Sequence, residues 1–265
     1  MSTADCIKSS IQDLALALSK WQLWSKLGWN DLQKRFRRSI IGPLWVMLSL
    51  VIFVLALGSI YAELFNQSLS VYVPHLILGM AAWTFISSVI MESSRVFVHE
   101  GQYLKQVRLP TTTFIYILLW RNLIIFLYQF AVFLLALPLI DIPPVGNWLL
   151  AAAGLVLIIA NCIWIGLFIS IISARFHDIG ELLGNVLRIV FFITPIIWLP
   201  SSSFKHDIVT DFNPFYHLIE IFRAYLLGDS ASMTSWLAAG SICVIGWLTS
   251  LILFGKYKHK IPFWI

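Results

Sequence analysis

Charge is scarce in this chain: Asp, Glu, Lys and Arg make up 12% of its 265 residues, where soluble domains carry about 25%. Cysteine is rarer. Cys6, Cys162 and Cys243 have no metal-like spacing, and two of them fall in apolar runs, where a thiol acts as a small hydrophobe. No G-x-x-x-x-G-K-[ST] loop is present, so the chain does not cradle nucleotide phosphates by itself; Gly255-Lys256 is followed by Tyr257 and preceded by no matching glycine. There is no Asp-x-Asp pair for a metal-bound sugar nucleotide, and the six histidines (His75, His99, His177, His206, His217, His259) are scattered without metal-ligand spacing. These absences argue against catalysis, and no cofactor or metal is expected in this chain.

Apolar length is abundant. Hydrophobic residues make up 59% and the mean hydropathy is +0.85. Six stretches reach membrane-spanning length, at 41–61, 75–94, 113–140, 148–172, 181–199 and 235–254. About twenty apolar residues at ~1.5 Å each cross a ~30 Å hydrocarbon core. The expected fold class is all-α: a polytopic membrane protein with six transmembrane helices, an N-terminal amphipathic interface helix and short re-entrant or interfacial helices on the outer side. Of the 18 Lys and Arg, 14 fall on the side holding 1–40, 95–112, 173–180 and 255–265. Basic short loops stay cytoplasmic, so both termini are expected inside, in a bacterial inner membrane. The net charge of +5 then reflects topology and anionic lipid, with no nucleic-acid partner.

Two parts are expected, a cytoplasmic interface segment at 1–40 and a six-helix membrane domain at 41–265. No cleavable leader is expected, because the first forty residues are polar and amphipathic. Within 10–38, Leu14, Leu18, Trp21, Leu27 and Phe36 recur at helical spacing among Lys20, Lys26, Lys34, Arg35, Arg37 and Arg38. That pattern fits a helix in the headgroup plane, and Gly42-Pro43 turns the chain into the first span. The first two outer loops are short. The third, 200–234, carries Asn213 as a helix N-cap, Pro214 at the first helical position, then Phe215, Leu218, Ile219, Phe222 and Leu226 up to Gly228. This helix is too short to span and is interrupted by Glu220 and Arg223, so it is expected at the outer interface, seated against spans one and five. Two readings stand for it: a passive interfacial helix, or a gate over an exit.

Buried charge is the next signal. Glu92 ends span two, while Arg121 and Arg188 lie roughly 10–12 Å inside spans three and five. An ionisable group at depth costs about 2.5–3.5 kcal/mol, which favours a partner, a wet cavity or snorkelling. One reading clamps Glu92 to Arg121 and lets Arg188 snorkel; another puts Arg188 on a water-filled path where it meets an anionic substrate. Trp83, Trp148 and Trp236 fit interfacial belts. Trp45, Phe53 and Tyr61 of span one, with Phe191, Phe192 and Trp198 of span five, fit either a lipid face or a passage whose flat rings hold sugar faces. Two inner loops stand out: 95–113, with Gly101, Gln102, Tyr103, Leu104, Lys105 and Arg108 in an amphipathic run, and 173–180, with Arg175 and Asp178 three apart.

In order along the chain, R-F-R-R-S-I-I-G-P-L-W at 35–45, A-R-F-H-D-I-G at 174–180, I-T-P-I-I-W at 193–198 and N-P-F-Y-H-L-I-E-I-F-R-A-Y-L-L-G at 213–228 resemble the permeases of ABC transporters that export polysaccharides. His177 stands where that family usually has Arg. The resemblance implies a homodimer paired with two copies of a separate ATPase, which binds the ATP and Mg. It also implies a channel at the dimer axis, lined largely by spans one and five, for O-antigen, capsule or teichoic-acid chains on an undecaprenyl-type lipid carrier. Under it, the 101–108 run with Arg175 and Asp178 takes the ATPase-coupling role, and Asn213, Pro214, Phe215, Leu218, Glu220, Phe222 and Arg223 shape the outer mouth. Three other readings compete: a drug or small-lipid permease of the same superfamily, an integral-membrane glycosyl- or acyltransferase, and a non-catalytic assembly factor.

Overall fold

The computed structural model describes residues 3–99, 109–139, 146–199 and 210–265, and all regular structure among them is helical. The coupling run expected at Gly101, Gln102, Tyr103, Leu104, Lys105 and Arg108 lies outside the described residues. In chain order the helices are α1 (Thr3–Ser19), α2 (Trp21–Phe36), α3 (Leu44–Leu64), α4 (Leu69–Ser93), α5 (Val96–His99), α6 (Thr113–Ala136), α7 (Trp148–Arg175), α8 (Ile179–Ile193), α9 (Pro214–Leu226), α10 (Met233–Tyr257) and α11 (Ile261–Trp264).

Five of these are long and apolar enough to cross a membrane: α3, α4, α7, α6 with its short 3-10 extension to Leu139, and α10 continued to Trp264. The fifth segment expected from the sequence, 181–199, is not a continuous span. Its helix α8 has 15 residues, about 22 Å, and ends where Thr194 turns extended (ψ 133°) before Pro195. Span two also differs from expectation. Instead of starting at His75, α4 begins at Leu69 and carries Pro74 inside its second turn. Such a proline is tolerated where neighbouring helices cover the freed backbone group, and Pro74 is itself buried.

The bundle is built around α4. Of its apolar stretch 72% is buried, against 17% for α3. α6 and α7 pack on α4 from within the bundle, α3 lies on α4 and α6, and α8 touches α4 and, more lightly, α7. The N-terminal segment forms two helices instead of one, because the backbone breaks at Lys20 (φ −87°, ψ 38°). α2 lies along α6, with Trp24 against Tyr116 and Trp120, and Leu32 against Ile124 and Ile125. Leu18, Trp21 and Leu27 stay exposed. α1 lies along α10, where the Ser10 hydroxyl donates to the Leu251 carbonyl (2.7 Å) and Lys258 Nζ to the Ser9 carbonyl (3.2 Å). Asp13 accepts from the Thr112 amide (3.1 Å) and hydroxyl (2.7 Å), which ties α1 to the start of α6.

Close backbone approach at Gly255 makes the α1–α10 contact possible, since a Cβ there would collide with the Cys6 carbonyl. Small residues serve this purpose where helices cross in membranes. Gly255→Val should therefore pry α1 off α10 and cost about 1–3 kcal/mol. The measurement is a lower melting temperature in detergent, together with faster proteolysis at Lys8 and Lys20. An unchanged melting temperature and digestion pattern would show that α1 does not depend on this contact.

Candidate functional site

Polar side chains gather in three places. The first is at the end of the bundle that holds α1, α2 and the close of α4. Arg121 on α6 donates through Nη2 to Glu92 Oε2 at 2.7 Å and places Nη1 3.5 Å from Asp31 Oδ2 on α2. Asn122 Nδ2 donates to the same Glu92 oxygen at 2.7 Å, and Arg35 Nη1 lies 3.9 Å from Glu92 Oε1. Glu92 and Arg121, expected to meet, are thus brought together. Asp31 and Asn122 were missed; the signal available for Asp31 is that it is the one carboxylate in α2, set among Lys26, Lys34 and Arg35.

A second cluster holds the break after α8. Arg223 on α9 is 2% exposed and donates to Glu220 Oε2 (2.6 Å) and to the Pro195 carbonyl (2.8 Å). Its Nη1 also lies 3.1 Å from His75 Nε2. Since Arg only donates, His75 accepts on Nε2 and carries its proton on Nδ1. Tyr72 donates to the Ile197 carbonyl at 2.6 Å, and Asn213 Nδ2 donates to the Thr194 hydroxyl at 2.9 Å. Carbonyls freed when the helix ends at Thr194 are therefore taken up by α4 and α9, which answers the need to pair buried backbone groups.

α9 itself forms as its cap signals require. Asn213 Oδ1 accepts from the Phe215 and Tyr216 amides, Pro214 opens the helix, and Gly228 beyond its end has φ +84°. Its place differs from expectation. Nine residues, including Leu218, Phe222 and Arg223, are buried; the helix packs mainly on α7, α10 and α4, and it meets the expected fifth segment through Asn213 to Thr194 and Arg223 to Pro195. Phe222 meets Phe126 and Phe130 of α6, while Phe215 meets Trp83 of α4. Gly154 on α7 permits this seat, because a Cβ there would strike the Ile221 carbonyl.

The third place is a groove of about 570 Å³ between α4 and α8, lined by Met80, Trp83, Ser87, Arg188, Phe191 and Phe192 among others. Trp83, placed in an interfacial belt by the sequence, is buried mid-helix instead, with ring centroids 5.7 Å from Phe191 and 5.6 Å from Phe215. α8 has three faces. Gly180 and Leu187 are buried; Leu182, Val186, Ile189 and Ile193 are apolar and exposed; Glu181, Asn185 and Arg188 are polar and exposed. At 100° per residue, Glu181, Asn185, Arg188 and Phe192 fall within an arc of about 60°. Among the described residues Arg188 makes no ion pair.

Other expected site residues disperse. Trp45 is exposed near the start of α3, and Phe53 and Tyr61 are half-buried along it. Tyr61 lies 5.8 Å from Phe65, which leads to Tyr72, so this aromatic row joins α3 to α4 and does not reach the α8 groove. Trp198 donates its indole N–H to the Phe192 carbonyl at 3.1 Å. Arg175 lies over the Trp264 ring, 5.5 Å from its centroid, and makes no ion pair with Asp178, which stands before α8.

Apolar helices whose buried charges satisfy one another, with one polar stripe left outward, define an integral membrane protein of the helical-bundle class. Residues 22–227 match the family model of the ABC-2 type transporter, and the chain belongs to that family. A Myxococcus xanthus protein described as O-antigen export system permease protein RfbA is 22% identical over 245 residues, covering 87% of this chain and 90% of its own length. Two Klebsiella pneumoniae proteins with the same description are 21% and 20% identical, with the same coverage. These relatives agree with the expectation of a transporter permease subunit and not an enzyme.

Proposed function

We propose that this chain is the permease subunit of an ATP-driven exporter that moves a lipid-linked polysaccharide, O-antigen in the first place, across the bacterial inner membrane. Two copies pair so that α3 and α8 of each face a common passage. α8 and the turn after it serve together as the fifth of six crossings, with both termini in the cytoplasm and α1–α2 in the headgroup layer. Two ATPase subunits supply ATP and Mg, and their motion enters through the 101–108 run and the Arg175–Asp178 loop.

The observation that carries this reading is the polar stripe Glu181–Asn185–Arg188 on an otherwise apolar helix. Facing acyl chains, each charge would cost about 2.5–3.5 kcal/mol. Facing a wet passage between two copies it costs little, while the exposed apolar face beside it meets lipid or the second copy. Phe191, Phe192 and Trp198, with Trp45, Phe53 and Tyr61 across the passage, offer ring faces to sugars worth on the order of 0.5–1.5 kcal/mol each. Such contacts hold a chain without trapping it. α9 forms the outer rim as a fixed wall, with Pro214, Phe215 and Glu220 on its less buried edge.

Arg188→Gln tests this. The side chain is exposed and unpaired among the described residues, so protein level and membrane insertion should stay at wild type. Surface polysaccharide should fall about tenfold, the effect of losing one charge-assisted contact of about 1.5 kcal/mol. The experiment complements a deletion strain and compares surface glycan with glycan accumulated in the cytoplasm. Full export by the variant would remove Arg188 from the path, and a deletion strain that accumulates no glycan would reject polysaccharide as the cargo.

A further inference from the structure

A cavity of about 390 Å³ lies between the ends of α7 and α10, and neither the α8 groove nor the Glu92 cluster uses it. Its wall is apolar, with Ile172 from α7 and Leu253 from α10. Its rim carries two cations, Arg175 and Lys260, and two aromatic rings, Tyr257 and Trp264. The Arg175 guanidinium lies 5.5 Å from the Trp264 centroid, Lys260 Nζ 5.9 Å from that of Tyr257, and the two rings are 5.7 Å apart. Lys256 Nζ lies 5.3 Å from the same Tyr257 ring. Among the described residues no Asp or Glu side chain lines the cavity, and neither Arg175 nor Lys260 is in a salt bridge.

Each part of this arrangement selects against a different ligand. An apolar slot between two spanning helices takes an acyl chain and excludes a free phosphate ion or a sugar. Paired cations with no Asp or Glu among the described lining residues take a monoanionic phosphodiester, which Arg can grip through two parallel N–H donors. A zwitterionic headgroup would bring a third cation against Arg175 and Lys260. Tyr and Trp at the rim fix the height of the site at the headgroup layer. We infer that this cavity binds an anionic glycerophospholipid, with its phosphate between Arg175 and Lys260 and an acyl chain along Ile172 and Leu253. The lipid would join α7 to the C-terminal α11 at the edge of the bundle. This inference needs only that α7 and α10 cross the membrane, and it stands apart from the identity of the cargo.

The test is lipid binding by the detergent-solubilised full chain, read by native mass spectrometry. Phosphatidylglycerol, phosphatidylcholine of the same acyl chains, and undecaprenyl phosphate are titrated separately. Phosphatidylglycerol should occupy one tight site per subunit, weakened about fivefold in Lys260→Gln and about thirtyfold in Arg175→Gln/Lys260→Gln. Lys26→Gln, a charge loss on α2 beside Trp120 of α6, should stay within twofold. Phosphatidylglycerol should also raise the melting temperature of the wild type and lose that effect in the double variant. If the double variant does not fold, the single Lys260→Gln still gives the answer. Equal binding of phosphatidylcholine, unchanged affinity in Lys260→Gln, or preferential occupancy by undecaprenyl phosphate would each overturn the inference.

Discussion

Arg223→Met should be the most damaging single substitution in the half of the bundle that holds α9. The guanidinium is 2% exposed and holds three groups at once: the Glu220 carboxylate, the Pro195 carbonyl and His75 Nε2. Met fills much of the volume but leaves a carboxylate without its cation and a carbonyl without its donor. Removing one partner of a buried ion pair costs about 3–5 kcal/mol, more than the pair itself contributes. Arg223→Lys should recover only part of the loss, because a single ammonium cannot reach Glu220 and Pro195 with the geometry of a planar fork. Glu220→Gln in the Arg223→Met background should restore stability by removing the stranded charge. Thermal unfolding in detergent reads all of these variants. The damage should also show at the end of α8, where a cysteine at Trp198 becomes accessible to maleimide. A melting temperature within a degree of wild type for Arg223→Met would mean that this network does not hold the break at Thr194.

The same residue shows where the sequence stops being informative. Read locally, Arg223 interrupts the apolar face of a short helix and marks it as a surface element. Glu220 is three residues away on the same helix, but the other partners, Pro195 and His75, lie 28 and 148 residues away, and no local pattern encodes those. The break at Thr194 was missed for a related reason: T-P-I-I-W carries no charge and is flanked by apolar residues, so a hydropathy window runs past the proline. The start of α4 was missed in the opposite direction, because Pro74 looked like a boundary while packing made it tolerable. Features set by local chemistry were readable. Asn213, Pro214 and Gly228 bound α9 as their cap preferences require, and the spanning runs follow from length alone. Glu92 and Arg121 could be paired from sequence because both lie at similar depth on helices adjacent in the chain. The polar stripe of α8 was readable in part, through Arg188; Glu181 and Asn185 gain meaning only once the helix is known to start at Ile179 and to bury Leu187.

At the opposite end, Arg121→Gln should destabilise the protein more than Glu92→Gln, although each removes one partner of the same ion pair. Arg121 serves two carboxylates, Glu92 at 2.7 Å and Asp31 at 3.5 Å, so its loss leaves Glu92 with Asn122 and the more distant Arg35 (3.9 Å), and Asp31 with the exposed Lys34 (3.7 Å). Loss of Glu92 leaves Arg121 its contact with Asp31, and Asn122 still donates to the Leu118 carbonyl at 3.0 Å. The side chains are 22% and 28% exposed, which moderates the cost of a fully buried break. About 2 kcal/mol is expected for Arg121→Gln and about 1 kcal/mol for Glu92→Gln, in the range of charged hydrogen bonds. The double variant should lose less than the sum, by about 1 kcal/mol, because the two residues touch. Asp31 belongs to α2, so Arg121→Gln should also loosen that helix, and trypsin should cut sooner at Lys26, Lys34 and Arg35. Strict additivity in the melting temperatures would mean that Glu92 and Arg121 do not interact. Equal losses in the two single variants, with unchanged cleavage of α2, would remove Asp31 from the network and leave Arg121 with one partner in place of two.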